Sequence, residues 1–418
     1  MVLTMPTNSC IPLMLRKATE RTLQVQRCLL GHLSRETSSG RFIPVMDGLR
    51  FVAIMMVILF HLNGYLVAKW PLHHSGFLPQ SSWLAQTALV GFRGVELFFV
   101  ISGFILALPF AMHHLAGGPA VSLRRYYLRR LTRLEPPYLL TVVVLFMLAV
   151  LVRGQSTVDL LPHFAASLVY LHNIVYARSS PVIGVAWSLE IEVQFYLLVP
   201  LLTFVFAIRN KTYRRALLVA LIIAFSCAQQ LFLRDSRLAL SILAYLQFFL
   251  SGFLLADLFI TDWKEAATTN FSADVITLIG WPLMIAILQS DRLTFWLLPF
   301  MLLFLYRSAF RGSLSRRIFS NQWITAVGGM CYSIYLIHYE VISLIGRFTS
   351  RLGADHSYCT YFALQFLLIA VPITGICGLY FVIMERPCMS RDWPQRLRNN
   401  FQVLFCASRR EPQINAAA

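Results

Sequence analysis

Residues 50–61 read Arg50-Phe-Val-Ala-Ile-Met-Met-Val-Ile-Leu-Phe-His61, an unbroken apolar run held between two basic side chains. Eleven helical steps of about 100° return almost to the starting angle, so Arg50 and His61 share one face and lie roughly 16 Å apart along the axis. An ionisable group at the centre of a membrane span costs roughly 2.5–3.5 kcal/mol on insertion scales, which makes each one a functional candidate. The segment reads as a membrane helix with Arg50 at one mouth and His61 near mid-membrane.

On either side of it, apolar runs fall near 51–67, 88–112, 137–152, 187–208, 216–233, 238–260, 273–289, 293–306, 324–346 and 361–384. Composition agrees: 57% of the 418 residues are hydrophobic and 13% charged, where a soluble chain carries roughly a quarter charged residues. Repeated runs near 20 residues are what a bilayer requires. The expected fold is all-α, a polytopic membrane helix bundle of about ten transmembrane helices.

The stretch 160–177 is short, and Asp159, His163, His172, Asn173 and Arg178 lie in or beside it. With ten spans and a cytosolic N-terminus, 27 of the 36 Lys and Arg fall inside and 8 outside, Arg93 lying within a span. Were 160–177 to cross as well, the basic residues after Arg178 would number 15 outside against 5 inside, contrary to the positive-inside rule. It is therefore read as one extra external or re-entrant helix, and both termini are expected in the cytosol.

The net charge of +17 does not point to nucleic acid, because the basic residues sit between apolar runs instead of on a polar domain. Eight cysteines (10, 28, 227, 331, 359, 377, 388 and 406) show no paired spacing of a zinc or redox site, so neither a metal nor a disulfide is expected. Residues 1–42 lack a secretory signal and read as a poorly ordered cytosolic extension. Residues 43–387 form the transmembrane unit and 388–418 a cytosolic tail.

Two further clusters of polar residues stand out. Arg130 and Arg133 share one helical face, and Pro136-Pro137 directly after them predicts a boundary there. Paired guanidiniums bind phosphates through forked hydrogen bonds. From the other side, Trp187-Ser-Leu-Glu190-Ile-Glu192 enters a span and puts Glu192 roughly 7 Å deep, near the depth of His61. A carboxylate and an imidazole at one depth can act as a base and its orienting partner.

At these residues the chain resembles the acyltransferase-3 family, integral membrane enzymes that modify sugars of bacterial surface polysaccharides and some secreted natural products. The resemblance runs from about Pro44 to Pro387. It rests on Asp47-Gly-Leu-Arg50 through His61, on Gly94-Val-Glu96-Leu-Phe-Phe-Val-Ile-Ser102-Gly103, on Arg130-Leu-Thr-Arg133, on Trp187-Ser-Leu through Tyr196, on Tyr332-Ser-Ile-Tyr335-Leu-Ile-His338 and on Glu385-Arg-Pro387. Glu190, Val193 and Glu135 depart from the usual pattern.

The resemblance implies an O-acyltransferase of the bacterial inner membrane that moves an acyl group, acetyl first, from a cytosolic acyl-coenzyme A to a hydroxyl of a cell-surface or secreted carbohydrate. Its partners would be that donor, the carbohydrate and the lipid bilayer. His61 is implied as the catalytic base, by direct transfer or through an acyl-His61 intermediate, with Glu192 orienting it. Arg50, Arg130 and Arg133 would hold the donor phosphates, and Glu96, Ser102, Trp187, Tyr332, Tyr335 and His338 would line the pocket or contact the oxyanion. The competing reading is a secondary transporter of a polar or anionic solute, since polar residues in broken spans also mark transport pathways.

Overall fold

The computed structural model describes residues 30–35, 42–69, 82–234, 236–263, 270–288 and 291–390, together with positions 24, 393 and 395. The remainder of the expected extension and tail, with Cys10, Cys28 and Cys406, lies outside the described residues. In chain order the helices are α1 (Pro44–Lys69), α2 (Trp83–Leu89), α3 (Gly94–Ala116), α4 (Leu123–Leu151), α5 (Thr157–Leu168), α6 (His172–Tyr176), α7 (Trp187–Leu202) and α8 (Lys211–Ala228). They continue with α9 (Ile242–Thr261), α10 (Phe271–Leu288), α11 (Asp291–Arg311), α12 (Ser313–Phe319), α13 (Gln322–Gly329), α14 (Cys331–Thr349), α15 (Tyr358–Tyr380) and α16 (Arg386–Met389).

Each of the ten expected spans is largely helical along its described residues, 324–346 being divided at Met330, and among the described residues there is no strand. Among the described residues, eight helical segments are long and apolar enough to cross a bilayer. Of the other two, α14 dilutes its apolar run with His338, Glu340 and Arg347, and the side chains at the start of α11 lie outside the described residues. Large apolar side chains such as Leu197, Leu201, Phe204, Leu367, Val371 and Leu379 stand exposed along the outer faces. That is the surface of a polytopic integral membrane protein, which packs against lipid instead of water.

The expected boundary at Pro136-Pro137 is corrected: α4 runs unbroken through both prolines. Each proline lacks the N–H that would bond the carbonyl four residues earlier, that of Thr132 or Arg133, and tyrosines of other helices brace the turn at neighbouring carbonyls. Tyr332 Oη donates to the Leu134 carbonyl at 2.9 Å and Tyr380 Oη to the Pro137 carbonyl at 2.7 Å.

The stretch 160–177 forms two short helices, α5 and α6, neither long enough to span. They part at Tyr170, whose φ of 58° is left-handed. Tyr170 stacks on Tyr138 at 4.4 Å, and Tyr138 Oη donates to the Ser167 carbonyl at 2.7 Å. These contacts hold the pair of short helices against α4.

α1 lies between two apolar cores. Its Leu49, Ala53 and Val57 face a cluster built with α3, α7, α9 and α11, while Ile54, Ile58, Leu62 and Leu66 face one built with α14 and α15. The seam between those cores is where the polar residues of α1 meet the rest of the bundle.

Candidate functional site

Arg50 emerges on this seam and bonds Asp47 one turn before it in α1; Asp47 is buried. Arg133 reaches Glu385 at 3.7 Å. Glu385 ends a π-helical turn, Phe381–Glu385, and accepts from Ser333 Oγ at 2.6 Å and the Ser333 N–H at 3.1 Å. Arg130 lies against the rings of Tyr126 and Tyr196, at 6.0 and 5.8 Å from their centroids. Among the described residues, no carboxylate comes within ion-pair distance of Arg130.

These arginines surround a cavity of about 110 Å³. Its wall carries Arg35, Arg50, Arg130 and Arg133 together with Glu192, Ser102, Tyr196, Ser188, Tyr332 and Tyr335, closed by Phe98, Phe99 and Leu134. Seven residues expected or implied at the site therefore meet in one place: Arg50, Arg130, Arg133, Glu192, Ser102, Tyr332 and Tyr335.

The hydroxyls on this wall have their protons committed within the protein. Ser102 Oγ donates to Glu192 Oε1 at 2.5 Å, and Tyr196 also bonds Glu192. Tyr332 donates to Leu134, as above, and Tyr335 Oη donates to the Val185 carbonyl, so it accepts from Ser188 Oγ at 2.9 Å. These O–H groups tie α14 to α4 and to the start of α7. Beyond the weak Cys331 thiol, the wall's remaining side-chain donor capacity belongs to guanidinium groups, so the cavity is chemically suited to an anion.

His61 is not on the cavity wall. Its Nδ1 lies 2.9 Å from Nε2 of His338, which is fully buried on α14. His338 Nδ1 sits 2.9 Å from the Ile334 carbonyl and 3.0 Å from that of Tyr335. Carbonyls only accept, so His338 Nδ1 carries a proton and its Nε2, in the neutral ring, is an acceptor. His61 Nδ1 must then donate, which leaves the lone pair on His61 Nε2. The pair lies one helical turn past Tyr335, roughly 5 Å along α14 from the end of the cavity.

The expected His61–Glu192 contact is not made. His61 packs on His338 and Tyr339, and Glu192 is held by Ser102 and Tyr196. Glu96 and Trp187 lie one layer behind the wall. Glu96 forms a buried ion pair with Arg93 at 2.6 Å, and Trp187 packs on Tyr245, which in turn packs on Phe99.

Sequence reasoning missed Arg35, placed in the extension, and Glu190, read only as a departure. Glu190 is buried; its Oε2 accepts from the Asn173 N–H at 2.8 Å, and its carboxylate also accepts from the His172 N–H. It therefore fixes the start of α6 to α7. Among the described residues no group of His, Cys, Asp and Glu could hold a metal ion, and the five described cysteines are free.

A family model described as an acyltransferase domain matches residues 43–382. Among curated proteins, the chain is 26% identical over 333 residues to a Staphylococcus aureus (strain COL) protein named "Putative O-acetyltransferase", covering 73% of this chain and 51% of that protein. It is 24% identical over 340 residues to the O-acetyltransferase OatA of Staphylococcus aureus (strain NCTC 8325 / PS 47), covering 74% and 52%. The chain spans about half the length of the curated relatives it matches. No solved structure matches it.

Proposed function

The chain belongs to this acyltransferase family, and from that premise we propose that it moves an acetyl group from a cytosolic acetyl-coenzyme A to a hydroxyl of a cell-surface or secreted carbohydrate. The carrying observation is the cavity wall, where serine and tyrosine protons are spent internally and four guanidiniums remain to meet a ligand. Phosphates of the donor satisfy that wall. Membership of the family and the names of the curated relatives support the transferred group.

In this reading Arg50, Arg130 and Arg133 hold the phosphates at the cytosolic mouth of an inner-membrane protein. The pantetheine arm passes the Tyr335–Ser188 link and brings the thioester carbonyl to His61. The carbohydrate hydroxyl arrives from the other side. As its oxygen bonds the carbonyl carbon, its proton goes to His61 Nε2; the C–S bond then breaks and the coenzyme A sulfur leaves, taking that proton. A neutral imidazole suits the task because the lone pair on Nε2 is available to take the proton.

The test uses the purified protein in nanodiscs with radiolabelled acetyl-coenzyme A and an envelope glycan extract as acceptor. His61→Ala and Arg130→Ala are compared with the wild type, and mass spectrometry of envelope glycans with and without the protein identifies the acceptor. Full transfer by a correctly folded His61→Ala protein removes His61 as the base.

A further inference from the structure

Residues 30–35 lie outside the matched domain, yet they are fastened to it at several points. Leu33 belongs to the α14–α15 core, its Cδ2 standing 3.5 Å from where a Cβ on Gly378 would lie. Arg386 Nη2 donates to the Gly31 carbonyl at 3.0 Å. Gly329 faces Arg35 so closely that an added Cβ would stand 3.3 Å from Arg35 Cβ. The contacts set Arg35 on the cavity wall beside Arg50, Arg130 and Arg133.

We propose that Arg35 is a further donor-binding residue, a guanidinium supplied from beyond the acyltransferase domain that grips the same polyphosphate as the arginines of α1 and α4. The inference rests on the donor reading given above. Asp47 is its counter-ion at 3.3 Å, but the same Asp47 oxygen also serves Arg50. Arg35 Nε is buried without a hydrogen-bond partner among the described residues. Half of one carboxylate and an idle N–H leave this side chain with donor capacity facing the cavity.

The electrostatics agree with that geometry. Burial, then the neighbouring guanidiniums of Arg133 and Arg50, push Arg35 well below the usual arginine range, against the pull of Asp47. Arginine stays protonated in practice, so the crowding is relieved when an anion enters. The family match begins at residue 43, so family membership alone does not assign this residue.

The experiment measures equilibrium binding of coenzyme A and of S-acetylpantetheine, which has the arm and no phosphate, to the full chain in nanodiscs. Arg35→Ala should weaken coenzyme A by about tenfold or more, the loss of a charge-assisted hydrogen bond, and leave S-acetylpantetheine unchanged. Arg35→Lys should recover part of the loss, and Arg317→Ala, at an exposed residue that is not on the cavity wall, should cause no loss. Unchanged coenzyme A binding by Arg35→Ala, or equal losses for both ligands, overturns the role of Arg35. No saturable coenzyme A binding by the wild type overturns the donor reading itself, and this inference with it.

Discussion

His338 Nε2 stands 2.9 Å from Nδ1 of His61, joining residues 277 positions apart. Because the other nitrogen of His338 is held by two backbone carbonyls, the contact has one direction, and His61 presents Nε2 as the free base. His338 is in this respect a positioning residue. His338→Ala should lower kcat for acetyl transfer by about 10²-fold, the lower range for loss of a placed base, with KM for the donor unchanged. His338→Gln, whose amide oxygen can accept from His61 Nδ1, should recover part of kcat. A parallel rise in KM in both variants would instead show that α14 had collapsed into the donor cavity.

Arg130 differs from its neighbours in facing the cavity with tyrosine rings behind it and no carboxylate at ion-pair distance. Its planar group is held by the rings, which an ammonium cannot reproduce. Both Arg130→Ala and Arg130→Lys should therefore raise KM for acetyl-coenzyme A by about tenfold or more, with kcat little altered. Steady-state kinetics checks this; full rescue by lysine would mean that charge alone matters at this position.

Hydropathy carried most of the fold because lipid imposes runs of apolar residues that a single sequence displays directly, as in 51–67 and 361–384. The arginines were legible for the opposite reason: a charge beside such a run has few explanations. Partner choice was not legible. That His61 meets His338 and not Glu192 depends on how α1 packs on α14, which no spacing encodes. Pro136-Pro137 misled because the contacts that brace this turn, from Tyr332 and Tyr380, come from distant helices. Arg35 was hidden in a basic stretch with no apolar run beside it, and Glu190 looked like a stray charge until its backbone partners on α6 appeared.

Glu190 is predicted to act on stability more than on chemistry. Its carboxylate takes two N–H groups at the start of α6, and removing it leaves buried donors unpaired at a cost of about 1–3 kcal/mol. Glu190→Ala should lower the thermal unfolding midpoint in detergent, and Glu190→Gln, which keeps an acceptor, should lower it less. Equal midpoints for wild type and Glu190→Ala would show that α6 does not depend on this contact.

The close approach of α3 and α9 gives a sharper packing test. A Cβ at Gly103 would lie 2.2 Å from the Phe249 carbonyl oxygen, and one at Gly252 would lie 2.3 Å from that of Val100, so the two backbones touch where neither residue has a side chain. Small residues are what allow membrane helices to approach this closely. Gly103→Ala must push the helices apart, at about 1–3 kcal/mol for an overpacked core. Gly64, on α1, has nothing within 4 Å of an added Cβ, and there the same change should be neutral or stabilising by about 0.5–1 kcal/mol, since alanine favours helix. Thermal unfolding of the two single variants under one condition compares them directly. Ser102 adjoins Gly103 and holds Glu192 at the cavity, so Gly103→Ala should also reduce acetyl transfer while Gly64→Ala leaves it intact. Indistinguishable behaviour of the two would refute the packing of α3 on α9.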